Sequence, residues 1–427
     1  MKRISFSPTQ VFAYLSLMFI LAAGTATIEA GSPRQAGLDF FSTSYLSPLP
    51  LANSRPTAFE FRDKRPLIVF TVEQLYSAVN DPQNAGKQIV LAPGVYFLSV
   101  NGPGGVPRPN GGRLELQQNM SLLGEVDDRD AVVIDAANLP RTSFVAPPVP
   151  LTAAIRLGRG SNSIEWLTVR NAVNGNANIG TDVNTTTTAF IRIAHIASTN
   201  SARGTDVRNF GPGAAGRMLI AEIVDNDFYN NKIGAQGEGL RLVNHAGATG
   251  GILIATLSGN RSHDNYLGLI VEDNGSSNAN ISVVSTGDQF DENGNGVFVG
   301  GGLSSGTAVA NGNTVSFKAY GDSFANNNGF NNFDYGGLNV IAAENTSMPN
   351  GTSNNTVTVE LHGCRFGNNR LYDIGAVGAR SNPASIGLPG TNNRVTISGF
   401  PSRGVVFSAA NSIPDYPGGM NSVTFVR

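Results

Sequence analysis

One short motif recurs along the second half of the chain and constrains its fold more than any other feature. Residues 225–231 read DNDFYNN, 259–265 GNRSHDN, 287–293 GDQFDEN, 321–327 GDSFANN and 363–369 GCRFGNN. The slot held by Phe falls at 228, 262 (here Ser), 290, 324 and 366, giving spacings of 34, 28, 34 and 42. A constant motif at variable spacing means a repeat architecture that takes its insertions in loops between units. If each unit is one rung of a coil, its strands lie beside those of the next rung, roughly 4.8 Å away. Like residues then stack on like. Phe228, Phe290, Phe324 and Phe366 form an inward aromatic stack. Asn231, Asn265, Asn293, Asn327 and Asn369 form a ladder at a bend, their amides bonding to one another and to turn backbone. Gly234, Gly268 and Gly296, three residues on, open the next strand.

Composition narrows the function classes. Charged residues make up 14% of the chain, the net charge is -2, and no basic run occurs, which argues against nucleic-acid binding. Fifty-one glycines suit a fold with many tight turns. The first 30 residues read as a secretory signal peptide: Lys2 and Arg3, an apolar stretch over 11–24, then small residues. That stretch is shorter than the roughly 20 residues a spanning helix needs. Removal is therefore expected, leaving a chain with no membrane span and a secreted, periplasmic or cell-surface location. The single Cys364 excludes an intramolecular disulfide. Residues 31–65 are Pro/Ser-rich and read as a linker or N-terminal arm, and 66–427 as one domain with a C-terminal cap.

Phe70–Asn80 carries a helix start. Thr71 is placed as N-cap, Gln74 at the third helical position, and Phe70 with Leu75 as hydrophobic staple; Leu75, Ala78 and Val79 make the apolar face. Short strands broken by Gly, Asn and Pro follow, among them QIVLA, VYFLSV, AVVIDA and SIEWLTVR. With the helix TVEQLYSAVN, the stretch QIVLAPGVYFLS and the repeated GDxFxxN, the chain resembles a right-handed parallel β-helix of the pectate-lyase-like superfamily over roughly residues 66–400. The resemblance implies an all-β solenoid whose short N-terminal helix caps the coil. An antiparallel sandwich is the alternative, but it explains neither the ladder nor the absence of two-residue hairpin turns.

Members of that superfamily cleave acidic polysaccharides on the outer face of the coil. Their motif sets (N-T-D with D-D, G-H-G and R-I-K; W-x-D-H; Q-D-T-L) are absent, so no catalytic residue carries over. Alignment on the motif nominates candidates instead. Glu222, Thr256, Val284, Lys318 and Glu360 fall in one outward column, and Val224, Ser258, Thr286, Tyr320 and His362 in the next. Lys318, Tyr320, Glu360 and His362 thus meet as a candidate proton-transfer group on a uronic sugar, or as a plain cross-strand ion pair beside two rings. His263 and Asp264 fall beside Asp291 and Glu292, a candidate calcium site through the carboxylates or a set of solvated turn residues. A third column, Arg241, Ile270, Phe298 and Asn339, presents an aromatic that stacks on sugar or is covered by a loop.

Gly211–Gly216 fits GxGxxG, but a strand follows it rather than a helix; Gly302–Gly306 fits GxSxG without its fold context. Two functions remain open: a polysaccharide lyase or glycoside hydrolase, and a non-catalytic carbohydrate-binding or structural β-helix. An outward groove walled by loops 301–312 and 341–354 would favour the first; a flat Asn/Ser/Thr face, the second.

Overall fold

The computed structural model describes residues 65–427 apart from 141–151, 159, 174–177, 186–187, 233–236, 305–307, 330–335, 346–351, 382–388, 402–403 and 414–416. The expected signal peptide and nearly all of the expected linker lie outside the described residues. The strands form three long parallel sheets that grow rung by rung along the coil. Sheet 1 has twelve strands in chain order, from Leu67–Val69 to Ser422–Val426. Sheet 2 runs in order from Gly94–Ser99 to Arg261–His263 and continues, through single bridges at Gln289, to Ser323–Ala325 and Arg365–Gly367. Sheet 3 has eleven strands, from Leu114–Glu115 to Phe407–Ile413. Every pairing between these strands is parallel, which rules out the antiparallel sandwich. The fold is a right-handed parallel β-helix, the hand that crossovers between parallel strands take.

The core follows from period-two alternation. In Asn280–Thr286, Ile281, Val283 and Ser285 point inward and are buried, while Asn280, Ser282 and Thr286 face out and are exposed. Phe228, Phe290 and Phe324 are fully buried. The Phe324 ring stacks between Phe290 at 5.9 Å and Phe366 at 5.0 Å. Ser262 interrupts the stack and donates its hydroxyl to the Gly268 carbonyl at 2.8 Å.

The asparagine ladder forms as the motif requires. The backbone N–H of Asn265 donates to Oδ1 of Asn293, that of Asn293 to Asn327 and that of Asn327 to Asn369, at 3.0–3.1 Å. Each Nδ2 donates back to the slot carbonyl one rung earlier: Asn293 to Ser262, Asn327 to Phe290, Asn369 to Phe324. Gly268 and Gly296 sit against these amides, where an added Cβ would stand 2.8 and 2.7 Å from Nδ2 of Asn293 and Asn327. Gly234 lies outside the described residues, and the column member of its rung is Gly239, against Asn265. Two further ladders escaped the motif. One joins Asn226, Asn260, Asp288 and Asp322 at the second motif position; the other joins Asn313, Asn355, Asn393 and Asn421.

Helix α1 spans Val72–Asn80 and buries Leu75, Tyr76, Ala78 and Val79 at the N-terminal end of the coil. Its capping box is as read: Gln74 N–H donates to Thr71 Oγ1 at 3.2 Å, and Phe70 N–H to Gln74 Oε1 at 2.7 Å. The staple does not form, because Phe70 is 67% exposed while Leu75 is fully buried. No helix among the described residues is long and apolar enough to cross a membrane.

SIEWLTVR is not one strand. It breaks into Ser161–Glu165 and Thr168–Arg170 at Trp166, whose φ of 57° turns the chain from sheet 1 into sheet 2.

Candidate functional site

Three outward clusters compete for the role of site. The first lies on sheet 1. Its register places Lys318 beside Glu360 and Tyr320 beside His362, as the aligned columns require. Lys318 Nζ lies 3.0 Å from Glu360 Oε1, His362 Nε2 is 3.9 Å from Glu360 Oε2, and the Tyr320 and His362 rings stack at 4.8 Å. The group is assembled but half-exposed. Around it the face carries Thr314, Ser316, Thr356, Thr358 and Thr396, a flat hydroxyl-rich surface. Such a surface does not desolvate a reacting group, and an exposed ion pair there contributes little.

The second cluster lies where sheet 2 turns toward sheet 3. His263, Asp264 and Glu292 come together with ligand atoms within 4.8 Å of one another. Asp291 turns away: it accepts from the Ser323 hydroxyl at 2.8 Å and from the Ala325 N–H. His263 bonds Asp227 through Nε2 at 3.1 Å and Asp264 through Nδ1 at 2.8 Å, and it stacks on Tyr229. The Asp227 bond raises its pKa against burial, with Asp264 adding to the effect. An imidazole donating from both nitrogens holds a proton where a metal ligand needs a lone pair. Two carboxylates then remain, against the six to eight oxygens calcium takes. The geometry fits an ion-paired histidine better than a calcium cage.

The third cluster covers the outer face of sheet 3 and extends the column of Arg241, Ile270, Phe298 and Asn339. The register carries that column back to Asp206 and Asp182, and to Arg156. Arg241, Ile270 and Asn339 are buried, so this face is covered rather than open. Leu240, Leu242, Leu269 and Val271 point into the core, which turns Asp206, Arg208, Arg241 and Glu272 to the opposite face by strand alternation.

Asp206 is the centre of this third cluster. It is completely buried, and its Oδ2 lies 3.2 Å from Arg208 Nη1, 3.3 Å from Arg203 Nη1 and 3.8 Å from Arg241 Nη1. Its Oδ1 is buried and has no hydrogen-bond partner among the described residues. Burial alone would raise its pKa, but the guanidinium groups of Arg208, Arg241 and Arg203 outweigh it and hold the carboxyl ionised. Arg203 also pairs with Glu238 at 2.7 Å, and Arg241 with Glu272. At the rim, burial and the charges of Arg241 and Arg208 push His245 down to about 3. Its Nδ1 accepts from Ala246 N–H at 2.8 Å, so the neutral ring carries its proton on Nε2. The face thus offers an ionised carboxylate with a vacant acceptor atom, fixed guanidinium groups and an N–H donor. A buried, unsatisfied acceptor is costly to folding and is the kind of group a ligand would complete.

No family model matches the chain, and no curated protein does. Among solved structures it is similar to "pectate lyase Pel9A", at 16% identity over 69% of this chain and 70% of that one, with a TM-score of 0.38. It is also similar to the Azotobacter vinelandii mannuronan C-5 epimerase AlgE6 A-module, at 15% identity over 84% and 95%, with a TM-score of 0.42. The AlgE4 A-module of the same organism gives 14%, 86% and 96%, and 0.40. At these levels the chemistry rests on this chain's own residues.

Proposed function

We propose that the chain is an exported β-helix that binds and processes a carboxylate-bearing polysaccharide along the outer face of sheet 3. The observation that carries the reading is Asp206, buried and ionised among three guanidinium groups with one oxygen unmatched. Arg203, Arg208 and Arg241 supply positive charge for a uronate carboxylate. Asp206 Oδ1 accepts a hydrogen bond from a sugar hydroxyl. A carboxyl held below its ordinary pKa suits a group that must stay charged, as in a glycoside hydrolase, better than a base that must take a proton. Entry requires the cover of this face to move.

A second reading, a non-catalytic carbohydrate-binding or structural β-helix, is supported by the flat hydroxyl-rich face of sheet 1 and by Lys318–Glu360 as a plain ion pair. The test is to incubate the purified protein with polygalacturonate and alginate, measure binding calorimetrically, and read products by mass. Asp206→Asn keeps the shape and removes the charge. Binding that falls at least about tenfold in the variant, with an unchanged circular dichroism spectrum, supports the sheet 3 site. Absence of binding and turnover with both polymers sinks it.

A further inference from the structure

From Trp166 onward, the corner at which sheet 1 turns into sheet 2 is held by a residue with positive φ. At Gly259, Gly287, Gly321, Gly363 and Gly399 that residue is glycine, with φ of 67, 67, 70, 65 and 72°. Three earlier rungs hold Trp166, His195 and Asp225 at the same corner, with φ of 57, 55 and 51°. Aspartate and histidine tolerate this region better than most side chains, but a bulky indole does not, so at Trp166 the fold alone would be better served by glycine. A strained tryptophan followed in the next two rungs by a histidine and an aspartate points to what the side chains do.

They form one unit. The Trp166 indole stacks on the His195 imidazole at 4.1 Å with 11° between the planes, and His195 Nδ1 lies 2.8 Å from Asp225 Oδ2. That bond takes the imidazole proton on Nδ1, and Nε2 makes no hydrogen bond among the described residues. One rung before Trp166 stands Gly124, paired through its N–H to the Glu165 carbonyl. The second face of the indole therefore has no side chain of the same column to cover it.

The unit is also walled. On the sheet 1 side Arg192 is tied between Glu165 at 3.3 Å and Glu222 at 2.8 Å. On the sheet 2 side the segment 125–131 folds against the corner. There Thr168 Oγ1 donates to the Arg129 carbonyl at 3.2 Å, and Arg129 Nη1 reaches the carbonyls of Ile196 at 3.1 Å and Asp225 at 3.3 Å.

We propose that this corner is a binding site for a neutral saccharide, separate from the sheet 3 face. The indole takes the apolar face of a pyranose ring, and Asp225 and His195 Nε2 accept hydrogen bonds from its hydroxyls. Charge selects the class. Glu165, Glu222 and Asp225 outnumber Arg192 and Arg129, so a uronate would be repelled where a neutral sugar is not.

Trp166 is the only tryptophan in the chain, so its emission reports this corner and nothing else. The protein is titrated with cellohexaose, mannohexaose and xylohexaose, and with hexagalacturonate as the acidic counterpart. A saturable emission change with at least one neutral hexasaccharide and none with hexagalacturonate is expected. The variants His195→Gly and Asp225→Gly install the residue that later rungs use, so the fold is kept. Each is expected to lower affinity about tenfold, the loss of one hydrogen bond to a charged or fixed acceptor. Three results overturn the proposal: no saturable change with any neutral sugar, a change with hexagalacturonate alone, or variants that bind like the wild type. If the glycine variants melt lower and the wild type binds none of the sugars, the stack is scaffold.

Discussion

Replacing Asp322 by Asn should stabilise the protein, and only above acidic pH. Asp322 occupies the ladder position that Asn226 and Asn260 hold in earlier rungs, and it is fully buried. Its Oδ1 accepts from Asp288 N–H at 3.0 Å, while its Oδ2 has no hydrogen-bond partner among the described residues. Burial, with the Asp288 carboxyl one rung away adding repulsion, pushes Asp322 up to about 7 from 3.8. Below about pH 4 both folded and unfolded chains keep this proton, and no penalty exists. Between about 4 and 7 the unfolded chain releases it while the folded chain retains it, so stability falls as pH rises, by about 1.4 kcal/mol per unit.

The difference between about 7 and 3.8, roughly three units, sets a ceiling near 4 kcal/mol; sharing of protons with Asp288 brings the expected gain to about 2–4 kcal/mol at pH 8. Asparagine keeps the acceptor, carries no charge, and adds an Nδ2 donor. In the pattern of Asn226 to Ile193 and Asn260 to Ile223, that donor would reach the Ser285 carbonyl. The assay is urea unfolding of both proteins from pH 4 to pH 8. A gain that is the same at every pH refutes the protonated-ladder account. A loss at pH 8 shows that the position needs the carboxylate.

Three more outcomes follow from the same geometry. Phe324→Ala removes the buried ring between Phe290 and Phe366 and should cost about 3–5 kcal/mol in denaturant unfolding; a loss below about 1 kcal/mol would undo the stack. Asn327→Ala strands the buried N–H of Asn293 and the carbonyl of Phe290, for an expected loss of about 2–4 kcal/mol; an unchanged midpoint would mean the ladder bonds are replaced by water. Lys318→Ala should leave stability within about 0.5 kcal/mol, since its pair with Glu360 is half-exposed, and a larger fall would give that pair a structural role.

The sequence made the scaffold legible wherever identical residues stack on themselves. The Phe slot, the Asn ladder and both sheet 1 columns could be placed because each GDxFxxN anchors one rung and the side-chain period of two does the rest. The anchor fades toward the N-terminus for physical reasons. There Trp166, His195 and Asp225 take the place of the corner glycine, and Ser198 takes the Phe slot. A tryptophan with positive φ reads as the middle of a strand, so SIEWLTVR hid a corner. Without that register, Arg156 and Asp206 could not be joined to the column of Arg241, although DVR at 206–208 and LRL at 240–242 both alternate charge with apolar residues. The direction of Asp291 was equally hidden, because Ser323, its partner, stands 32 residues away. Adjacency was readable; exposure was not, since it depends on what lies over each face.

Because each rung pairs almost wholly with its two neighbours, the coil behaves under load like a strip of stitches rather than a single knot. Tension drawn through the C-terminal end would release the rungs one after another. Each would pay out the residues between successive slots, 34, 28, 34 and 42 along this stretch. At about 3.4 Å per extended residue those lengths correspond to steps of about 12, 10, 12 and 14 nm. The irregular spacing of the motif is thus a length code, one that a single stretched molecule would recite in reverse order.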